Sequence, residues 1–585
     1  MTLWKSIHPS LDIPTDITTW EWAFEHPEHS PVVRSQRDPS IRVGHYTDAF
    51  TKETLDFHQV KDKAARLSTA LVRRYGLQPG QTVSLFSTNS IWYPVAMWAT
   101  VRVGGCVNGA SPAYTADEMA HALTVADTKI LITLSGASLN VALQAAEKVG
   151  IPRDRVLLLE GEQAGFVSIQ TLIDDDSTRA PDQQVDYYRI PPGRTNQQVC
   201  GYLNFSSGTT GLPKAVMLSH RNVIAQCHQL RQLQVVPDDG RYKILAVMPL
   251  FHITGLVRFC TYPVFMNGHS IMLPSFTMEK MLNAIIDYHV EDLILVPPII
   301  TRLVRDPLVD SDEYLPKLRA IVKRWSSGSA PVSNEVVQQL GRKFPGTGFR
   351  QGYGATESTA CISAHPPSHF DFRYAATGGL LVANTTAKVI SLDDPSVLLG
   401  PGETGEICAR GPQIAMGYLR NEAATRESFD EEGFLHTGDV GHIDAEGLIH
   451  VEDRIKEMIK VKGQQVAPAE LEAVLLGHEG VADAAVVGVA DDYAGERPKA
   501  FVVLKETDRD RGGGRYEEVM GWELMELVKT TKVKYKWLSE VEFVSDLPKN
   551  PTGKLLRRVL KAREKDQSRV RGTTVVEDKP TRAKL

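Results

Sequence analysis

Cysteine is scarce in this chain. Six thiols, at positions 106, 200, 227, 260, 361 and 408, are spread over 585 residues. No two stand in a C-x-x-C spacing and no histidines sit at zinc-finger distances, so neither a disulfide framework nor a structural zinc site is expected. The pattern is that of reduced, mostly buried thiols in an intracellular protein. Long apolar runs are missing too. The most apolar long window, 255–274, is interrupted by Arg258 and His269; it reads as buried core, and no stable membrane insertion is expected. The start of the chain meets Pro9, Asp12 and Pro14 without an apolar segment before them, unlike a signal peptide. Charge of one sign is not in excess: 65 Lys and Arg against 71 Asp and Glu leave a net charge of −6. No basic patch or arginine-rich arm marks a nucleic-acid partner. Tandem repeats are absent. So are G-x-S-x-G and H-E-x-x-H, which leaves the chain without a hydrolase signature.

What is present is length and alternation. A chain of 585 residues exceeds one core, so at least two domains are expected. From about residue 55, helical spacing (57–75, ending at Gly76) alternates with short apolar runs (82–87, 129–134, 156–159) and further helices, one opened by the capping box Thr115 to Glu118. The alternation resumes at 198–205 and continues to about Tyr353, which implies parallel sheets covered by helices. After Thr377 glycine and short β-like runs take over, and after about Asp453 a smaller α+β unit begins. Its interior segment 506–515 is charged and glycine-rich and reads as a mobile loop. The expected architecture is therefore α/β. A large N-terminal domain (1–453) combines parallel βα-type sheets with a distorted β subdomain. A small mobile α+β domain (454–565) and a flexible polar tail (566–585) complete the chain.

One string carries chemistry by itself: Ser206, Ser207, Gly208, Thr209, Thr210, Gly211, Leu212, Pro213, Lys214. Glycines let the backbone approach an anion, hydroxyls and amides donate, and the lysine adds charge, so this is a phosphate-cradling loop. It departs from the P-loop spacing because Pro213 precedes the lysine. A plain Ser/Gly linker would need neither the Pro-Lys end nor the apolar strand before it. Downstream stand Gly352 to Glu357, Thr437-Gly438-Asp439, Asp453-Arg454-Ile455-Lys456 and Pro548 to Lys554. Alone each is weak: the first is a failed dinucleotide fingerprint, the second could be a turn. Their order over roughly 350 residues makes coincidence very improbable.

In that order the five strings resemble the adenylate-forming superfamily of acyl- and aryl-CoA ligases, adenylation domains and beetle luciferases. Ser111 to Thr115, Lys460 to Glu470 and Asp491 to Ala500 are similar to the 4-coumarate:CoA ligase-like branch, and the likeness covers most of the chain from about residue 50. The resemblance implies ATP, Mg²⁺ and coenzyme A as cofactors and a small carboxylic acid as substrate. By resemblance, Ser206 to Thr210, Lys214 and Thr356 hold phosphates, Gly352 contacts ATP or AMP, Glu357 holds Mg²⁺, and Asp439 and Arg454 hold the ribose. Lys554 contacts the carboxylate and α-phosphate. Lys456, in the hinge, and Gln465 touch AMP in a second conformation, in which Lys460, Lys462 and Gly463 replace the Lys554 face and contact coenzyme A. His252 gates the acyl site, which Thr254, Gly328, Gly354 and Ala355 line. The 327–331 turn flanks adenine and this pocket.

The plant coumarate ligases carry Tyr where this chain has Thr254, followed here by Gly255. That departure predicts a roomier pocket, for a medium or long aliphatic acid or a bulky aryl acid, in β-oxidation or specialised metabolism. The alternatives are a stand-alone adenylating enzyme that loads a carrier protein, a luciferase-like oxygenase, and a non-catalytic binding protein of the same fold. Ala583-Lys584-Leu585 matches the peroxisomal address, so a peroxisomal import receptor is an expected partner. No sequence signal fixes an oligomeric state. His220 is expected to cap a helix, and Cys361, His365 and His369 to be structural.

Overall fold

The computed structural model describes residues 2–178, 180–206, 213–235, 241–330, 332–462, 464–491, 493–505, 514–549, 554–565, 572 and 574–577. Local signals set many of the boundaries. Phe57–Tyr75 is a helix opened by a reciprocal cap between Asp56 and Gln59 and closed by Gly76 at φ 65°. Thr115 and Glu118 cap Ala116–Val125 in the same way. Ser219 caps His220–Gln232. His220 itself does not cap; its buried ring accepts from the Thr19 backbone N–H at 3.2 Å.

The first sheet has the strand order Gly417–Tyr418, Lys214–Ser219, Cys200–Ser206, Cys106–Ala110, Thr82–Phe86, Thr128–Leu134, Val156–Glu160. The last five run parallel. Thr82–Phe86 and Cys106–Ala110 are buried at every residue, as parallel strands covered on both faces must be. Val83 and Leu85 pack with Leu67, Val95 and Trp98 on one side; Phe86 and Leu131 pack with Met119, Leu139 and Ala142 on the other. A second sheet joins Asp292–Leu295, Arg324–Ser327 and Gly348–Tyr353 in parallel. A third joins Lys243–Ala246, His269–Met272 and His45–Asp48 in parallel. The expected α/β architecture is thus present.

The phosphate-cradling string sits differently from a strand-to-helix loop. Cys200–Ser206 and Lys214–Ser219 are antiparallel, with Ser206 opposite Lys214, and the helix follows only after the second strand. The β subdomain is an antiparallel array of Trp4–Lys5, Thr386–Ile390, Gly405–Arg410, Leu435–Ile443 and Ile449–Arg454. Its distortion comes from register shifts at Glu406/Cys408 and Val440/Gly441.

The C-terminal part has its own core, around Ile459, Leu471, Val486, Val502, Leu524 and Val541. Two expectations need correction there. Residues 506–513 lie outside the described residues, but Gly514 and Arg515 already belong to the helix Gly514–Thr531, which buries Met520, Leu524 and Val528 every four residues. Part of the expected flexible tail is built into the sheet: Val575–Glu577 pairs antiparallel with Glu540–Phe543 and buries Val576, because two adjacent valines extend the apolar sheet. The tripeptide 583–585 lies outside the described residues. Among those described, no helix is long and apolar enough to cross a membrane.

Candidate active site

The motif residues converge where parallel strands end, the position at which open α/β sheets hold ligands. Ser206 ends Cys200–Ser206, Gly328 follows Arg324–Ser327, and Gly352 lies near the end of Gly348–Tyr353. His252 lies in the segment after Lys243–Ala246. That segment is drawn onto the first sheet, where Asn204 Nδ2 donates to the Phe251 carbonyl at 3.0 Å. Gly109 is required for this approach: a Cβ there would stand 2.7 Å from the Phe251 oxygen.

Of the phosphate-cradling string, residues 207–212 lie outside the described residues; the flanks Ser206 and Lys214 are paired strand ends. The Lys214 ammonium stands 4.9 Å over the Tyr418 ring, and the Tyr418 hydroxyl donates to Glu357 at 2.8 Å. Tyr418 therefore ties the lysine to the acidic loop, a link that no motif in the sequence announces. Burial, then the Glu357 charge, push the phenol well above its ordinary pKa.

The 352–361 loop is held in a strained form. Thr359 has φ 53° and Ala360 φ 105°, backbone states unusual for non-glycine residues and concentrated at functional sites. The Thr359 hydroxyl donates to the Gln413 carbonyl at 2.6 Å and the Cys361 N–H to Gln226 at 2.7 Å. The loop also explains Gly354, where a Cβ would meet the Ala360 oxygen at 2.0 Å. Thr356 is buried at the start of a short 3₁₀ turn.

Asp439 lies opposite Arg454 on neighbouring strands. Arg454 Nε stands 3.3 Å from one carboxylate oxygen, and the Tyr353 hydroxyl donates to the other at 2.8 Å. Burial raises the Asp439 pKa, against Arg454, Tyr353 and Lys554, which favour the carboxylate. Lys554 comes to the same place. It is held down to a pKa of about 8, first by burial and then by Arg454, with Glu457 and Asp439 opposing. Burial and the Lys554 charge together lower His252 to about 4, so this imidazole is neutral at physiological pH.

The other lysines stay outside. Lys460 and Lys462 are exposed, as is Gln465, which pairs with Lys460 across the strands Ile459–Val461 and Gln464–Val466. Lys462 stands 3.9 Å over the exposed Tyr493 ring. Gly463 lies outside the described residues. Lys456 reaches Glu427 at 3.6 Å on the surface.

A second feature without a sequence signal anchors Lys554. Three residues on, Arg557 forms a two-pronged pair with Glu472, at 3.0 and 2.6 Å. It also bonds Glu457 and faces Asp453 at 3.9 Å. Asp453 in turn accepts from the Ala469 N–H at 2.9 Å. One buried guanidinium thus joins the 453–457 segment, the helix Pro468–Leu476 and the segment carrying Lys554.

The pocket glycines divide in two. A Cβ on Gly255 would stand 2.3 Å from Leu250 Cα, so its smallness serves backbone contact, as at Gly354, and does not widen a pocket. At Gly328 the nearest atom would be 3.5 Å away, leaving room. Thr254 precedes the wide-turned helix Gly255–Thr261, and its N–H points at His252 Nδ1 at 3.4 Å. Ala355, whose N–H donates to Ser358 Oγ at 2.9 Å, borders Thr356.

Comparison with known proteins identifies the family. The AMP-binding enzyme family profile matches residues 22–419, and the AMP-binding enzyme C-terminal domain matches 470–554. Peroxisomal OPC-8:0-CoA ligase 1 of Arabidopsis thaliana is 35% identical over 519 residues, covering 88% of this chain and 89% of its own. 4-Coumarate–CoA ligase 5 of Oryza sativa subsp. japonica is 33% identical over 571 residues, covering 96% and 97%. The ATP-bound crystal structure of MatB from Rhodopseudomonas palustris superposes with a TM-score of 0.79 at 25% identity, covering 94% of this chain and 99% of that one.

Proposed function

The chain belongs to the family of AMP-binding enzymes and is an ATP-dependent acyl-CoA ligase, and on that premise we propose how its residues divide the two half-reactions. A carboxylate is a poor acyl donor because oxide would have to leave. In the first half-reaction its oxygen attacks the α-phosphorus of ATP, the bond to the bridging oxygen breaks, and pyrophosphate departs. In the second, the coenzyme A sulfur attacks the acyl carbonyl, AMP leaves, and the thiol proton is released. Charge in the first step spreads over phosphate oxygens, so catalysis is electrostatic and positional.

The observation that carries this assignment is Lys554, a half-buried ammonium sharing one site with Asp439, Arg454 and His252. Below a pH of about 8 it is protonated and meets the developing charge on the α-phosphate and the attacking carboxylate. Asp439, with its two oxygens fixed by Tyr353 and Arg454, accepts the ribose hydroxyls. Thr356, Gly352, Lys214 and the 206–210 string take the phosphates. Glu357 is half-buried and gives one oxygen to Tyr418; a single carboxylate fits a magnesium ion that keeps phosphate and water ligands. That ion would neutralise charge on ATP. Neutral His252 packs beside the reacting carboxylate and takes no proton from it, since the nucleophile is already ionised. Lys460, Lys462 and Gly463 serve the second half-reaction, after rotation about Lys456 brings them and Gln465 inward.

Purified protein with ATP, Mg²⁺, coenzyme A and a panel of carboxylic acids is expected to release AMP and pyrophosphate and form a thioester only when coenzyme A is present. Formation of ADP would overturn the scheme. A peroxisomal location is supported by Ala583-Lys584-Leu585 and by a relative named as peroxisomal. An N-terminal fluorophore fusion should give puncta with a peroxisomal marker, and removal of the three residues should disperse them. A diffuse intact fusion would refute it.

A further inference from the structure

The helix that follows Thr254 leads to a buried group of hydrogen-bond donors that neither half-reaction uses. Arg258 lies about one turn beyond Thr254 in the wide helix Gly255–Thr261. It is 7% exposed, and its guanidinium stands 5.4 Å from the Tyr262 ring centre. Its field reaches Tyr242, Tyr262, Cys361 and Arg350. Cys361 ties this group to the loop of the active site, since its sulfur lies 3.6 Å from where a Cβ on Gly352 would stand. Arg350 precedes Gly352 by two residues on the same strand and so shares its sheet face. Its Nε donates to Ser326 Oγ at 2.6 Å and its Nη1 to the Leu233 carbonyl at 3.4 Å. Ser326 in turn precedes Gly328 by two residues.

Two tyrosines complete the group. Tyr242 and Tyr262 are 3% and 0% exposed, and their rings meet edge-on at 5.1 Å. Among the described residues both hydroxyls are buried without a hydrogen-bond partner. Buried polar groups are rarely left so, and two in contact in one place are a specific deficit. The charge is unbalanced in the same direction. Among the described residues no ion pair engages Arg258 or Arg350. The carboxylate that acts on Arg350, Asp292, is already taken by Arg324 and by Gln234 at 3.0 Å. Neighbouring buried guanidiniums without a counter-ion are costly, and the like charge of Arg258 adds to burial in holding Arg350 down to about 10. Guanidiniums only donate, and a hydroxyl between cations is oriented to donate, so what this group lacks is an acceptor bearing negative charge.

We propose that Arg258, Arg350 and the hydroxyls of Tyr242 and Tyr262 form a distal oxyanion subsite, and that the acid this enzyme activates carries a second carboxylate remote from the reacting one. This rests on the ligase reading. The reacting carboxylate meets Lys554 and His252; the remote one lies beyond Thr254, satisfies the orphaned hydroxyls and balances the arginines. A chain of the right length is thereby oriented with only one end at the α-phosphate. A monocarboxylic acid would leave an apolar end against unpaired donors, a mismatch that sites built for hydrogen bonding reject strongly.

The test is ATP–pyrophosphate exchange by the full-length protein with straight-chain α,ω-dicarboxylic acids and the matching monocarboxylic acids. At the best length the diacid should exceed its monoacid in kcat/KM by about tenfold or more. Arg258→Met should erase that preference by lowering the diacid rate far more than the monoacid rate. Arg258→Lys should restore part of it, and Tyr262→Phe should weaken it a few-fold. A readout without nucleotide accompanies this: the same diacid should raise the melting temperature of the wild type and not of Arg258→Met. Preference for monoacids at every length, or equal loss on both series in Arg258→Met, would overturn the subsite. If no acid of either series supports exchange, the ligase reading fails at that point. The nucleotide-free shift then judges the subsite alone, its absence in the wild type counting against it.

Discussion

Two faces of the C-terminal domain carry motif lysines, and they stand in opposite environments. Lys554 is half-buried near Asp439, Arg454 and Glu457, and burial lowers its pKa to about 8. Lys460 and Lys462, on the strand pair 459–466, are exposed, with Lys462 over an equally exposed tyrosine. A lysine is seldom drawn out of water without a compensating partner. Here the compensation is Asp439 and Glu457, with the phosphate of ATP as the further partner the site is proposed to receive. The contrast fits the proposed division, in which the turned-in face serves adenylate formation and the turned-out face, left solvated, serves the second step.

The sharpest way to break the comparison is to remove Lys554. Lys554→Ala should slow acyl-AMP formation by about 10²–10³ while sparing conversion of supplied acyl-AMP and coenzyme A to thioester. Single-turnover assays of each half-reaction decide it, and equal loss in both would dissolve the distinction between the faces.

Arg557→Ala attacks the anchor of the same face. Removing one partner of a buried, two-pronged pair leaves Glu472 uncompensated and should destabilise the C-terminal domain by about 3–5 kcal/mol. Amide hydrogen exchange should show protection lost in 459–504 and retained in the first sheet. Unchanged protection in 459–504 would mean that the guanidinium does not anchor the domain.

Acidity gives a third handle. With Lys554 lowered to about 8, its charge is present below that pH and lost above it. kcat/KM for the first half-reaction should therefore fall about tenfold per pH unit on the alkaline side of about 8. A profile flat to about pH 10, where an ordinary lysine titrates, would place the group in water like its exposed counterparts.

The smallest effect belongs to the solvated face. Lys460→Ala or Lys462→Ala should leave acyl-AMP formation intact and slow thioester formation a few-fold to about tenfold, since exposed charges act through screened contacts. Acyl-AMP should accumulate in a quenched single turnover. If the first half-reaction slows instead, the assignment of faces is reversed.

Much of the fold and of the site is legible in the sequence. The cap at Thr115 and the stop at Gly76 follow from residues three or four apart. So does the period that makes Phe57–Tyr75 a helix. The donors and charge in 206–214 announce an anion because their chemistry is in their side chains, whereas the roles of 352–357 and 437–439 were legible only through the family resemblance. Glycine is the least readable residue. Gly255 and Gly354 look like space in a pocket, yet each is small because backbone passes within 2.3 Å or 2.0 Å of its missing Cβ. Tyr418 and Arg557 are invisible as site residues because their partners, Glu357 and Glu472, lie 61 and 85 positions away.

The sequence by itself determined the alternation of strands and helices, the order of the motifs and the chemistry each can perform, since these depend on side chains and near neighbours. Only the tertiary structure decided which lysine is drawn in beside Asp439, that the strands flanking the phosphate-cradling string pair antiparallel, and that Tyr242, Tyr262, Arg258 and Arg350 stand together. Burial and charge pairing are properties of where distant segments meet, and no local pattern encodes that meeting.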